Sequence, residues 1–502
     1  MPLPRHLQLL LIVFAVCNLS TATESTHPRF SFGSGPNLVG TNVGAETLFT
    51  TARGYGFESG GALITRPDGV ESTRPFYFSA TVPIEGNYLV TVTVPPRTDA
   101  TIKAELRRLV IENVRVPSDA PAATRTFLVN TRSPKIAAVG DLQPGAVRLK
   151  APRETTQEAW AWDNVITLEF NGAHPAVSAI AITPAPLSTP TIFLLGDSTV
   201  CDQSKEPFNS WGQMFPRWFK PEVVIANHAE SGETYRDSIG RRRLDKILSV
   251  MKPGDWLFMQ FGHNDQKQIA AKTGGPFTTY QAEIKKHIDA VRAQGGTPLI
   301  LSPMERRGFD AAGKVISSLA DYAEAARQSA QQLKVAFIDL NALSKLFYAA
   351  LEARGPEFSR QAFAGQDNTH HNNYGSYELS KAIVQAIRDQ KLPLAKFIVD
   401  EFTSFDPAHP DDPLTFAIPA SPNFSNQRPL GDEAKSPPPT RRCQRSSPVP
   451  RPRRTVHSVR PPGTRPRPYA KSAQTPSSIS TPPRRSTNER CGPAISNYRE
   501  SL

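Results

Sequence analysis

The stretch Thr191–Thr199, TIFLLGDST, decides how this chain is read. Thr191 to Leu195 is a short, apolar, partly β-branched run, the pattern of a buried strand. It stops at Gly196, and Asp197-Ser198-Thr199 follow. A serine on the turn after a buried parallel strand lies at the carboxyl end of the sheet, where open α/β sheets place their chemistry. Ser198 is therefore a candidate nucleophile. Gly-Asp-Ser alone is weak, because the same residues open helices as ordinary N-cap turns.

Outward from this stretch the pattern alternates. Candidate strands are Ile192–Leu195, Val223–Asn227, Trp256–Gln260, Pro298–Leu301 and Ala336–Asp339, with helical periodicity near 241–251, 279–294, 317–333 and 374–388. Repeated βα units predict a parallel sheet with helices on both faces. Right-handed crossovers leave a flavodoxin-like doubly wound topology as the expected α/β fold over residues 190–395.

The preceding residues, 28–185, read as all-β. Phe76–Val82 and Asn87–Val94 look like strands joined by a hairpin turn at Glu85-Gly86-Asn87. Leu109–Ile111, Thr126–Val129, Val147–Leu149, Asn164–Phe170 and Val177–Ile182 continue the set. Closely spaced short strands predict a sandwich or jelly roll. Tyr55, Phe57, Trp160 and Trp162 offer either a platform for sugar rings or ordinary core packing, and packing is the commoner use of such aromatics. A Pro-rich linker, Pro184–Pro190, separates this part from the α/β pattern.

Arg5, the apolar run Leu9–Cys17 and the small residues Ser20 and Ala22 form a signal-peptide pattern over residues 1–22. A lipoprotein anchor at Cys17 fits less well, since Phe14-Ala15-Val16 lacks the small residue needed before such a cysteine. No later run is long and apolar enough to span a membrane. The expected setting is secreted or periplasmic. Cleavage leaves Cys201, Cys443 and Cys491, which is no disulfide framework, and Cys201 reads as a buried structural thiol.

The net charge of +12 is a local feature. Residues 431–502 hold 15 Lys and Arg against 4 acids, a net of +11, which leaves +1 for the rest. That segment, like all of 428–502, is Pro- and Arg-rich without apolar periodicity and cannot bury a core. The charge therefore gives no reason to expect a nucleic-acid partner for the α/β part.

Four clusters carry chemistry: Gly196–Thr199, Asn227–Thr234 (NHAESGET), Phe261–Asp265 (FGHND) and Asp367–His370 (DNTH). Each is ordinary alone; all four fall in loops of the α/β pattern, three of them directly after strands. Together they suit acyl transfer. A serine hydroxyl needs a base, and histidine serves near neutral pH. An acid must hold the histidine tautomer, and Asp367 lies three residues before His370. The backbone N–H groups of Ser198 and Gly232 and the side-chain amide of Asn264 can serve as oxyanion donors. His371 is the rival base. His263 reads as a residue that orients Asn264, and His228, Asp197 and Asp202 read as turn or support residues. Arg241-Arg242-Arg243 can attract an acidic polysaccharide or form a solvated helix face, the commoner outcome. No metal-ligand spacing and no phosphate-cradling glycine loop is present.

These four blocks resemble the SGNH (GDSL-type) hydrolase superfamily, with Ser198, Gly232, Asn264 and His370 at its four positions. The forms GDST, ESGET, GHND and DNTH are similar to those of the rhamnogalacturonan acetylesterase family. The resemblance covers about 190–395. It implies a three-layer α/β/α fold, a Ser198–His370–Asp367 triad, no metal or other cofactor, and removal of O-acetyl groups from a plant polysaccharide. The β-rich part is loosely similar to galactose-binding-like modules. Two further classes stay open at this point. One is a lipase, thioesterase or acetylxylan esterase of the same superfamily, although no long apolar lid segment appears. The other is a non-catalytic carbohydrate-binding protein.

Overall fold

The computed structural model describes residues 27–36, 39–58 and 62–422. The signal segment expected over 1–22 and the basic tail expected over 428–502 lie outside these residues. All the described residues belong to one compact unit.

The second half is built on a five-stranded sheet of β1 (Thr191–Gly196), β2 (Val224–Asn227), β3 (Trp256–Gln260), β4 (Thr297–Leu301) and β5 (Ala336–Ile338). Its order is β2-β1-β3-β4-β5, and every pairing is parallel. This is the flavodoxin-like order, whose switch point falls beside β1. The strands are mostly apolar because both faces are covered. Ile192 and Leu194 of β1 enter one core cluster with Phe258 and Leu299, while Phe193 and Leu195 enter another with Met259 and Ile300.

Helices close both faces. α1 (Tyr235–Gly240), α2 (Arg243–Leu248), α3 (Gln281–Ala293) and α4 (Ala320–Leu333) contribute Tyr235, Leu244, Ile284 and Tyr322 to one cluster. α5 (Leu340–Glu352) and α6 (Asn373–Asp389) contribute Phe347, Leu379 and Ile383 to the other. Each such fully buried large apolar side chain stabilises the layers by roughly 1.5–3 kcal/mol. The helix expected near 241–251 is α2, which begins only at Arg243 because Arg242, with φ +63° in the left-handed region, separates it from α1. α5 was not anticipated; Asp339 caps it by accepting from Ala342 N at 3.1 Å.

The front half carries two five-stranded sheets, and residues of both fill one core. The strands expected at 76–82 and 87–94 are present as Phe76–Thr81 and Gly86–Val94, but they are not hairpin partners. Phe76–Thr81 pairs with Val165–His174, whereas Gly86–Val94 pairs with Ala123–Thr131 and Ala179–Pro184 in the other sheet. The chain between them, which includes the ladder-breaking Pro83, arches across the core. Both strands still bury alternate residues, Phe76 and Phe78 on one and Tyr88, Val90 and Val92 on the other. Val147–Leu149 is not a strand; Arg148 N donates to Arg241 O at 3.0 Å instead.

After α6 the chain returns to the front half. Phe402, Phe405 and Ile418 pack into the α/β core. Ser421 Oγ donates to Glu169 at 2.8 Å and accepts from Lys103 Nζ at 2.7 Å.

Candidate active site

The turn after β1 is not a helix start. Val200 N and Cys201 N both donate to Asp197 O at 3.0 Å, closing a tight turn that presents Ser198. Gly196 is required by close approach: a Cβ there would lie 2.5 Å from Val200 Cγ2 and 2.6 Å from the Gln260 carbonyl oxygen. Gln203 Nε2 donates to Ser198 O at 2.7 Å and fixes the residue from behind.

Four hydrogen bonds tie the four blocks together. Glu230 N donates to Gly196 O at 3.0 Å. Asn264 Nδ2 donates to Glu233 O at 3.1 Å, next to Gly232. His263 Nδ1 lies 3.2 Å from Asp197 Oδ2. His370 Nε2 lies 2.8 Å from Ser198 Oγ. Gly232 has φ +77°, a conformation that costs glycine little. Among the described residues, no acceptor takes the N–H of Ser198 or of Gly232.

The Asp367 loop orients the histidine. Asp367 Oδ1 accepts from Thr369 N at 2.7 Å and from His370 N at 3.0 Å, and Oδ2 faces His370 Nδ1 at 2.9 Å. Burial favours a neutral Asp367, but the hydrogen bonds from His370 and Thr369 outweigh it and hold the carboxyl well below its usual range. An ionised carboxylate only accepts, so His370 Nδ1 carries the proton and Nε2 is left to accept from Ser198 Oγ–H. Asn372, two residues on, caps α6 by accepting from Gly375 N at 3.0 Å, which anchors the loop to a helix.

His371 stands elsewhere. Burial and the neighbouring His370 push it down to about 3, and its Nε2 shares a 2.8 Å hydrogen bond with the Tyr348 hydroxyl. Asp197 also accepts from Thr199 Oγ1 at 2.8 Å, and Thr199 in turn accepts from Gln260 Nε2 at 2.8 Å. Asp202 pairs with Arg108 at 2.7 Å. Cys201 is a buried thiol whose pKa burial pushes up. His228 is buried against Phe193 and Trp162.

The loops around Ser198 are held by residues far away in sequence. Arg107 pairs with Glu206 at 2.6 Å and donates to Gln203 O at 2.9 Å. Arg153 pairs with Glu230 at 2.7 Å, and Lys150 with Glu233 at 3.0 Å. In return Arg243 reaches Glu154 at 2.6 Å. The run Arg241–Arg243 is thus neither a substrate patch nor a solvated face. Arg243 is 1% exposed, Arg241 pairs with Glu233, and Arg242 donates to Pro144 O and pairs with Asp245. No sequence signal marks the pairs Arg107–Glu206, Arg153–Glu230, Lys150–Glu233 and Arg243–Glu154, because each of these joins the two halves. Of the four aromatics weighed as a sugar platform, Phe57 and Trp162 are buried, Tyr55 packs on Phe30, and Trp160 is exposed beside Tyr77.

Among the described residues no group of His, Cys, Asp and Glu is arranged to hold a metal ion. No helix among them is long and apolar enough to cross a membrane. The arrangement is a hydroxyl, an oriented base and a set of N–H donors, which is the equipment of acyl transfer.

Residues 194–377 match the GDSL-like Lipase/Acylhydrolase family. The chain is 34% identical over 223 residues to rhamnogalacturonan acetylesterase RhgT of Bacillus subtilis (strain 168), covering 41% of this chain and 94% of that protein. It is 31% identical over 215 residues to the probable rhamnogalacturonan acetylesterase YesY of the same organism, covering 42% and 98%. The uncharacterized esterase YxiM, also from that organism, matches at 25% over 399 residues, 76% of this chain and 96% of that protein. The chain is a carboxylic ester hydrolase and belongs to the SGNH (GDSL-type) hydrolase superfamily, in its rhamnogalacturonan acetylesterase-like family.

Proposed function

We propose that the chain is an exported serine esterase that removes O-acetyl groups from a plant cell-wall polysaccharide, with acetylated rhamnogalacturonan as the substrate. The observation that carries this reading is the run of contacts from Ser198 Oγ to His370 at 2.8 Å and from His370 to Asp367 at 2.9 Å. The substrate class is supported by the names of the relatives matched over nearly their whole length. Residues 190–395 act as the catalytic domain. Residues 28–185 act as a β-sandwich accessory domain of galactose-binding-like type that braces the catalytic loops.

In this mechanism Ser198 Oγ attacks the acetyl carbonyl carbon while His370 Nε2 takes the hydroxyl proton. The oxyanion forms against the N–H groups of Ser198 and Gly232 and the amide of Asn264. Removing one such donor typically costs about 10²–10³ in rate. Collapse breaks the bond to the sugar oxygen, which receives the proton from His370 and leaves. A water then gives its proton to His370, attacks the acetyl-serine, and releases acetate, restoring the Ser198 hydroxyl.

The test is acetate release from acetylated rhamnogalacturonan, with acetylated xylan in parallel, by the wild type and Ser198→Ala. Release from the pectic polymer, lost in the variant, is the expected result. Release from xylan alone keeps the serine chemistry and overturns the substrate. Undiminished release by Ser198→Ala overturns the mechanism.

A further inference from the structure

A cavity of about 350 Å³ lies where the front half meets β1 and the loop after β2, lined in part by Asn130, Arg132, Phe193 and His228. Of the four blocks around Ser198, it shares only His228. Its lining contains an imbalance that the rest of the protein avoids. Five arginines among the described residues are buried: Arg107, Arg108, Arg132, Arg153 and Arg243. Four of them meet a carboxylate at 2.6–2.7 Å. Arg132, 5% exposed, forms no ion pair and no side-chain hydrogen bond among the described residues, and its guanidinium lies 4.5 Å over the Trp162 ring. A buried charge left without a partner is costly, so evolved interiors rarely keep one without a use.

Other polar atoms on the same lining are also unmatched. Arg132 Nε, Asn130 Oδ1 and both ring nitrogens of His228 are buried with no hydrogen-bond partner among the described residues. The other cations on the lining are already neutralised: Lys246 meets Glu85 at 2.6 Å, and Lys252 meets Asp255 at 2.7 Å. The lining therefore offers one uncompensated guanidinium, one amide oxygen acceptor and one imidazole. Burial and the nearby Arg132 hold His228 well below its usual range, so the ring is neutral and presents one donor and one acceptor. Ile84 and Leu187, 71% and 93% exposed, add apolar surface at the cavity.

We propose that this cavity is a binding site for a small hydroxylated carboxylate. The carboxylate pairs with Arg132, a ligand hydroxyl donates to Asn130 Oδ1 or His228, and the ligand body lies against Ile84 and Leu187. Arginine suits this task because its planar fork matches a carboxylate's two oxygens. Two sources share that chemistry: a uronic acid sugar and a hydroxycinnamic acid.

The experiment is isothermal titration of the full chain with galacturonic acid, with 4-hydroxycinnamic acid and with neutral galactose, alongside thermal unfolding with each. Binding and a raised melting temperature with at least one acid, and neither with galactose, is the expected result, and the acid that binds identifies the source. Arg132→Met should weaken that binding at least tenfold while leaving Ser198-dependent ester hydrolysis and unliganded stability intact. Asn130→Asp, which supplies a carboxylate to the same lining, should exclude the acid by occupying Arg132. Absence of heat and of any melting shift with both acids overturns the proposal. So does undiminished acid binding by either variant, or an equal response to galactose.

Discussion

Replacing Asp367 by Asn tests the orientation of the base with almost no change of shape. The asparagine oxygen can still accept from Thr369 N and His370 N, which now donate to Asp367 Oδ1 at 2.7 and 3.0 Å. The amide nitrogen then replaces Oδ2 opposite His370 Nδ1, 2.9 Å away in the wild type. An amide N–H only donates, so Nδ1 must accept, and the ring proton moves to Nε2. That proton points at Ser198 Oγ, and the base can no longer receive the serine proton. Losing the correct tautomer costs a triad about 10⁴ in kcat, or about 5 kcal/mol of barrier at 1.36 kcal/mol per tenfold. We expect that loss for acetate release and for a chromogenic acetate ester, with KM changed less than threefold. Stability supplies a second readout. Asp367 is held below its ordinary range in the folded state, so its contribution is present above the unfolded value near about 4 and is lost as pH falls. The stability gap between wild type and variant should close in acid. A variant retaining kcat within tenfold of wild type would refute the tautomer argument.

Three further outcomes are expected. Gly196→Ala places a Cβ 2.6 Å from the Gln260 carbonyl oxygen and must shift the Ser198 turn, so kcat should fall by about 10² or more; a variant of unchanged kcat would mean the turn is not confined. Arg243→Met leaves Glu154 buried without its guanidinium and should lower urea-unfolding stability by about 3–5 kcal/mol, against no loss for Arg132→Met; equal losses would undo the contrast. Glu105 is pushed up to about 8 by burial, against an ordinary value of 4.5. Between those values the unfolded chain releases a proton that the folded chain keeps, so stability falls as pH rises. Glu105→Gln should remove on the order of 3–5 kcal/mol of that decline between pH 5 and 8, and a wild-type-to-variant difference constant with pH would contradict it.

The catalytic half was the more legible in sequence. Its strands are apolar on both faces, so Ile192–Leu195 and Trp256–Gln260 stand out as unbroken runs between polar loops. Three of the blocks are visible because polar residues such as Ser198, Glu230 and Asn264 follow those strands, and the fourth, Asp367–His370, stands in the loop before α6. The front half was read less well for a physical reason. Alternation in Phe76–Thr81 and Gly86–Val94 reveals which side chains face the core, but it carries nothing about which strand lies alongside. The bracing ion pairs were invisible for a different reason. Arg107 and Glu206, or Arg153 and Glu230, lie far apart in the chain, and a charge pattern along one segment cannot name its partner in another. Arg243 reads as a solvated residue until Glu154 is brought to it.

That bracing has a genetic consequence. The carboxylates flanking Ser198 and Gly232, namely Glu206, Glu230 and Glu233, take their countercharges from Arg107, Arg153 and Lys150. A library of random substitutions screened for loss of ester hydrolysis should therefore return charge-removing changes at these three front-half positions, far from the triad in sequence. Some of the losses should be suppressed by neutralising the paired glutamate, the allele-specific pattern expected of a buried ion pair whose members can be removed only together.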